Sequence, residues 1–158
     1  MNLRRLSHAP LRLLVGIALV SFPMSSLSAA LLARCGGSQG KALFVGAGET
    51  SWSDDAMRKG QFLFVTDDQG NPSLLYYDTT GLIHDVKNEG GLVWLSYKHP
   101  DKLSFGIIVS YQDEGIVETY NVVSKPSGGA ELLWTVNRSG QPGMTKVGAY
   151  EAECTLGK

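Results

Sequence analysis

The sequence predicts an all-β fold, a single antiparallel barrel or sandwich of about eight or nine short strands. Three observations carry that expectation. Apolar residues alternate with small or polar ones over short runs, the period-2 signature of half-buried strands. The runs recur at roughly ten-residue spacing with Gly or Pro in nearly every connection. No long helical period occurs after the first thirty residues, which sets a βαβ arrangement aside. A barrel is favoured over a sandwich because bridging the two cysteines, Cys35 and Cys154, would curl the sheet until its first and last strands meet.

The chain has 158 residues, one domain's worth. Its start reads as a cleaved signal peptide over residues 1–30, leaving a single all-β domain over 31–158. Arg4, Arg5 and Arg12 form a basic leader, Leu11 to Val20 is apolar apart from Arg12, and Ser28-Ala29-Ala30 offers small residues for cleavage. The apolar run is well short of the ~20 residues a spanning helix needs, so no stable membrane anchor is expected. The expected location is periplasmic or secreted. Cleavage after Ala30 leaves eleven basic residues against fifteen acidic ones, a net charge of −4. That balance and the lack of a basic cluster argue against nucleic acid as a partner. In an oxidising compartment, two cysteines at opposite ends of the mature chain predict a Cys35–Cys154 disulfide.

Lys41 to Ala47 is the first predicted strand. After it, Ser53 can cap a short helix near 53–59, with Asp54 and Asp55 at its positive end, Arg58 and Lys59 at its negative end, and Gly60 as a stop. Trp52 is expected to pack that segment onto the sheet. Gln61 to Thr66 and Ser73 to Asp78 read as a hairpin across Asp67-Asp-Gln-Gly-Asn-Pro72. Leu82 to Val86 is a weaker strand, and Leu92 to Lys98 a stronger one ended by His99-Pro100. The meander from Leu103 to Arg138 is the clearest signal, with runs at 103–111, 116–123 and 131–137. Phe105, Ile107, Val109, Tyr120, Val122, Leu132, Trp134 and Val136 are assigned to the core. The last strand, 146–154, turns Gly148, Tyr150, Ala152 and Cys154 inward and Glu151 and Glu153 outward.

The candidates for chemistry are few, and no catalytic residue, metal ligand or cofactor is predicted. His84 and Asp85 are neighbours on a strand and point to opposite faces, so they form no pair. His99 reads as a turn residue, and no G-x-S-x-G elbow accompanies either histidine. Asp67-Asp68 with Gly70 and Asn71 lacks the alternating oxygens and terminal Glu of a calcium loop, and reads as a plain turn. The aromatic residues are the remaining resource. Tyr76 and Tyr77 must diverge to opposite faces, and with Trp94 and Tyr97 they are the candidate binding residues.

Cys35-Gly-Gly near the start of the mature chain and Cys154 near its end give a layout that resembles the small periplasmic inhibitors of C-type lysozyme. That resemblance implies an exported short β-barrel with a disulfide. The family's Ser-Gly-containing binding segment ahead of a tyrosine has no counterpart here, so no binding residue is carried over. The expected function is that of a non-catalytic binding or interaction module of the bacterial cell envelope, its partner a protein or a small apolar ligand. The alternatives are a carrier of a small apolar ligand inside the barrel or, from the layout resemblance, a periplasmic lysozyme-inhibitor-like protein; an enzyme ranks last.

Overall fold

The computed structural model describes residues 30–45, 50–100, 104–139 and 145–157. The signal-peptide expectation over 1–30 therefore falls almost wholly outside the described residues. Among the described residues eleven strands form one antiparallel sheet: β1 (Leu31–Cys35), β2 (Ser38–Val45), β3 (Ser51–Met57), β4 (Gln61–Thr66), β5 (Pro72–Tyr77), β6 (Ile83–Asp85), β7 (Leu92–Lys98), β8 (Phe105–Tyr111), β9 (Ile116–Ser124), β10 (Ala130–Arg138) and β11 (Thr145–Leu156). The main path runs β6-β5-β4-β1-β11-β10-β9-β8-β7, and β2 and β3 branch from β11. The sheet curls into a half-barrel whose concave side holds the core. The all-β expectation holds. The first and last strands do pair, Cys35 opposite Cys154.

β11 is the longest strand and the spine of the sheet. β10 pairs along one side of it, from Ala130 opposite Cys154 to Arg138 opposite Lys146. Its other side is shared: β2 takes Thr145 to Glu151 and β1 takes Cys154 to Leu156. β1 and β2 are thus two arms of one chain bent at Gly36-Gly37, and β3 and β4 bend with them at 58–60. Arg34 lies opposite Leu63 on one arm, and Ser38 lies opposite Met57 on the other. The bend therefore inserts two more residues on the β3–β4 side than on the β1–β2 side, an irregularity that sharpens local curvature.

Three expectations from the sequence differ from the structure. The helix near 53–59 does not form, because Ser51 to Met57 pairs along its length with β2. A cap contributes only about 1 kcal/mol, and a helix of one or two turns is marginal in water. The strand instead offers seven ladder pairs and sends Asp54 and Asp55 to opposite faces, where each finds a cation: Lys41 at 3.2 Å and Lys146 at 2.6 Å. Trp52 does not pack onto the sheet and is 57% exposed. The described residues hold eleven strands rather than eight or nine, because β1 and β3 lack the apolar alternation that marks a strand in the sequence.

The meander follows the predicted register. Phe105, Ile107, Val109, Tyr120, Val122, Leu132 and Val136 are buried, and Trp134 is half-buried against them. Gly148, Tyr150, Ala152 and Cys154 face inward as expected, and Glu151 and Glu153 face water. Phe62 and Phe64 from β4 cross to meet Tyr120, with ring centroids 5.8 Å away in both cases. Each buried ring contributes roughly 2–3 kcal/mol of transfer free energy. Gly115 (φ 62°) closes the 3-10 turn Gln112–Glu114 between β8 and β9, a left-handed position that a side chain would strain.

Cys35 and Cys154 are disulfide-bonded, with Cα atoms 4.0 Å apart and a sequence separation of 119. The bridge fits an oxidising compartment outside the cytoplasm. In the chain-entropy account a loop of this length restrains the unfolded chain by about 5 kcal/mol. No helix among the described residues is long and apolar enough to cross a membrane.

Candidate binding surface

The convex side of the sheet is built by the residues that alternate with the core. Register aligns them in rows across the strands. Leu92, Ser110, Val117, Asn137 and Val147 form one row. Trp94, Ile108, Thr119, Thr135 and Ala149 form the next, with the Thr119 and Thr135 hydroxyls bonded to one another at 2.6 Å. Tyr97, Gly106, Asn121 and Leu133 begin a third, which reaches its first charge at Glu151. None of these fourteen residues is charged. At ~4.8 Å between strands, the first two rows cross about 19 Å of sheet. Trp94 (46%), Tyr97 (50%) and Leu133 (48%) are exposed, as are Leu92, Val117 and Val147. The first row continues through Leu43 to the exposed Trp52.

The four predicted binding residues separate. Trp94 and Tyr97 share the convex side of β7, spaced three apart because the pairing of β7 with β8 shifts between Leu95 and Tyr97. Tyr76 and Tyr77 do diverge. Tyr76 pairs opposite the buried Phe62, packs against the core and stacks on His84 at 4.6 Å between centroids. Tyr77, opposite Gln61, is half-buried on the other face. β5 and β7 are not hydrogen-bonded neighbours, and Tyr76 faces the core, so the pair at 76–77 and the pair at 94 and 97 do not make one row.

Two polar clusters escaped the sequence reading. The first lies on the concave side of β9–β11. Glu118 is only 6% exposed and accepts a hydrogen bond from the Tyr120 hydroxyl at 2.7 Å, with Arg138 3.8 Å away. Burial pushes its carboxyl above the ordinary range, against the opposing pull of Tyr120 and Arg138. Alongside it, the Tyr150 hydroxyl donates to Asp55 at 2.7 Å, and Lys146 reaches the same Asp55 oxygen. Trp134 lies between Tyr120 and Tyr150, stacked at 5.7 Å and 4.4 Å. Parity could have found Glu118, since it shares a face with Tyr120 and Val122.

The second cluster surrounds His84. Its partner is not Asp85, as the opposite-face argument required, but Glu89 at 2.6 Å on Nδ1 and Asp78 at 3.4 Å on Nε2. Both ring nitrogens therefore face carboxylates. The Asp67 turn is also as expected: its carboxylate accepts from the backbone of Gln69 and Asn71 and from Lys87 at 3.0 Å. Among the described residues no group of three or more His, Cys, Asp or Glu side chains is placed to hold a metal ion.

Comparison with family models, with characterised proteins and with solved structures gives no match to this chain.

Proposed function

We propose that this protein is an exported, non-catalytic binding module of the bacterial cell envelope that engages a protein partner through the convex face of β7–β10. The observation that carries the reading is the run of uncharged rows with Leu92, Trp94, Tyr97, Val117 and Leu133 exposed. Apolar and aromatic residues without charge, bordered by Glu131, Glu151 and Glu153, have the composition of an interface centre inside a polar rim. A protein partner is also what the layout resemblance to lysozyme inhibitors implies. Two points support a binding role over catalysis or carriage. His84 has a carboxylate at each nitrogen, which leaves it no position from which to activate a nucleophile. The concave side is occupied by interlocking rings: Phe62 lies 5.4 Å from Trp134 and Phe64 5.5 Å from Phe105, in the space an apolar cargo would need.

Site-specific photocrosslinking of the exported protein tests this. A photoreactive residue at Trp94 should give a discrete adduct with one envelope protein, and Leu133→Asp should remove it while the disulfide and the melting transition persist. A probe at Asn88, beyond the convex face, should give no such adduct. Equal crosslinking from both positions would overturn the reading, and a small molecule co-purifying with the mature protein in native mass spectrometry would replace it with the carrier. N-terminal sequencing of the exported form should begin near Leu31.

A further inference from the structure

The two ends of the main sheet path, β6 and β7, are joined by the turn at 86–91. That turn touches both sides of the half-barrel. Val86 is buried in the core and donates its N–H to Leu74 of β5 at 3.1 Å. Gly91 donates to the Val86 carbonyl at 2.8 Å and sits so close to Val86 and to the Tyr111 ring of β8 that a side chain there would collide with them. The seam of the half-barrel thus depends on how this turn is held.

His84 is central to that hold. Glu89 belongs to the turn after β6, and Asp78 to the turn before it. Asp78 is itself fixed, its other oxygen accepting from the backbone N–H groups of Thr80 and Leu82 at 2.8 and 3.0 Å and from the Thr80 hydroxyl. The imidazole lies flat on Tyr76, with an interplanar angle of 7°. Tyr76 beneath it lies within electrostatic reach of Glu89, and of Glu118 and Arg138 from β9 and β10. Lys87, within the turn, is committed to Asp67. The charged groups facing the ring directly are therefore two carboxylates, one on each side.

An imidazolium has two N–H donors and satisfies both carboxylates; a neutral imidazole has one donor and one lone pair. Losing the proton leaves a lone pair facing a carboxylate, and the longer 3.4 Å contact to Asp78 is the arm expected to fail. We propose that His84 is a proton-dependent latch tying together the turns on either side of β6, and so holding the seam between the two ends of the sheet. The hydrogen bond to Glu89, then that to Asp78, raises the affinity of His84 for its proton above the ordinary value of 6.5. The latch is therefore complete below 6.5 and is lost as pH rises through the raised value.

The test uses the mature, disulfide-bonded protein. NMR titration of the His84 ring should give a midpoint above 6.5, and Glu89→Gln should lower it. Backbone amide exchange, corrected for intrinsic pH dependence, should show the protection of Val86, Glu89 and Gly91 falling as His84 loses its proton. The expected fall is about two- to fivefold, the scale of a partly exposed ion pair. In His84→Gln those amides should have low protection with no step in that pH range, while Leu132 and Val122 keep theirs. A His84 midpoint at or below 6.5, or the same protection profile in His84→Gln as in the wild type, would overturn the latch. This inference stands apart from what the convex face binds.

Discussion

On the concave side of β8–β11, Ile107, Val109, Val122 and Leu132 are all but inaccessible to water. On the convex side of the same strands Val117, Val123, Leu133 and Val147 are exposed, though their side chains are equally apolar. Composition does not separate the two faces; parity and curvature do. The concave side curls onto β4, whose Phe62 and Phe64 cover it, and no other layer of the described residues covers the convex side. The converse also appears. Glu118, of a residue type rarely found buried, is buried because its position in β9 faces inward. A sheet assigns faces strictly, and side chains that do not suit their face mark where stability has been given up.

The comparison can be broken by substitution, beginning with the largest expected effects. The disulfide holds the concave face together where β1 meets β11, so Cys154→Ser should cost about 2–5 kcal/mol in a denaturant melt. A loss near zero would mean the ladder alone holds that seam. Leu132 and Leu133 are the sharpest internal control, adjacent leucines on opposite faces. Leu132→Ala should destabilise by about 2–5 kcal/mol through lost burial and a cavity, and Leu133→Ala by under about 0.5 kcal/mol. Comparable losses from the two would refute the face assignment.

Glu118→Gln sharpens the comparison through pH. Burial raises the Glu118 carboxyl above its ordinary value of 4.5. An acid with a raised folded-state value binds more protons folded than unfolded, so its stability contribution is full below 4.5 and is lost as pH rises through the raised value. The wild type should therefore lose stability relative to Glu118→Gln between pH 4.5 and neutrality. Parallel urea-midpoint profiles would show that Tyr120 and Arg138 fully offset the burial. Asp67 and Asp78, both held down to about 2 by hydrogen bonds led by Lys87 and Thr80 respectively, add a loss at acid pH that is common to both proteins and cancels. The smallest effect belongs to Ser110→Ala on the convex side, under about 0.5 kcal/mol.

Much was legible in the sequence because its cause is local. Period-2 alternation in 103–111, 116–123 and 131–137 specifies both strand and face, since slipping one residue would expose the whole apolar set. The two cysteines and the inward parity of Cys154 sufficed for the disulfide. The turn at 67–71 followed from side chains that bond their own backbone. Of the candidate binding residues, Trp94 and Tyr97 are outward, while Tyr76 is committed to His84 and the core; alternation separates neighbours but does not say which one points in.

Only the tertiary structure decided the rest. Ser51 to Met57 carries helix-capping chemistry, yet β2 lies beside it and offers seven ladder pairs and two ion pairs that no local reading can weigh. The bend at Gly36-Gly37, the branch of β2 and β3 from β11, and the meeting of His84 with Asp78 and Glu89 across two turns all depend on residues brought together by the curl of the sheet. Alternation along one strand determines which residues share a face. Which face closes on a partner strand and which stays open is determined by the path of the other ten.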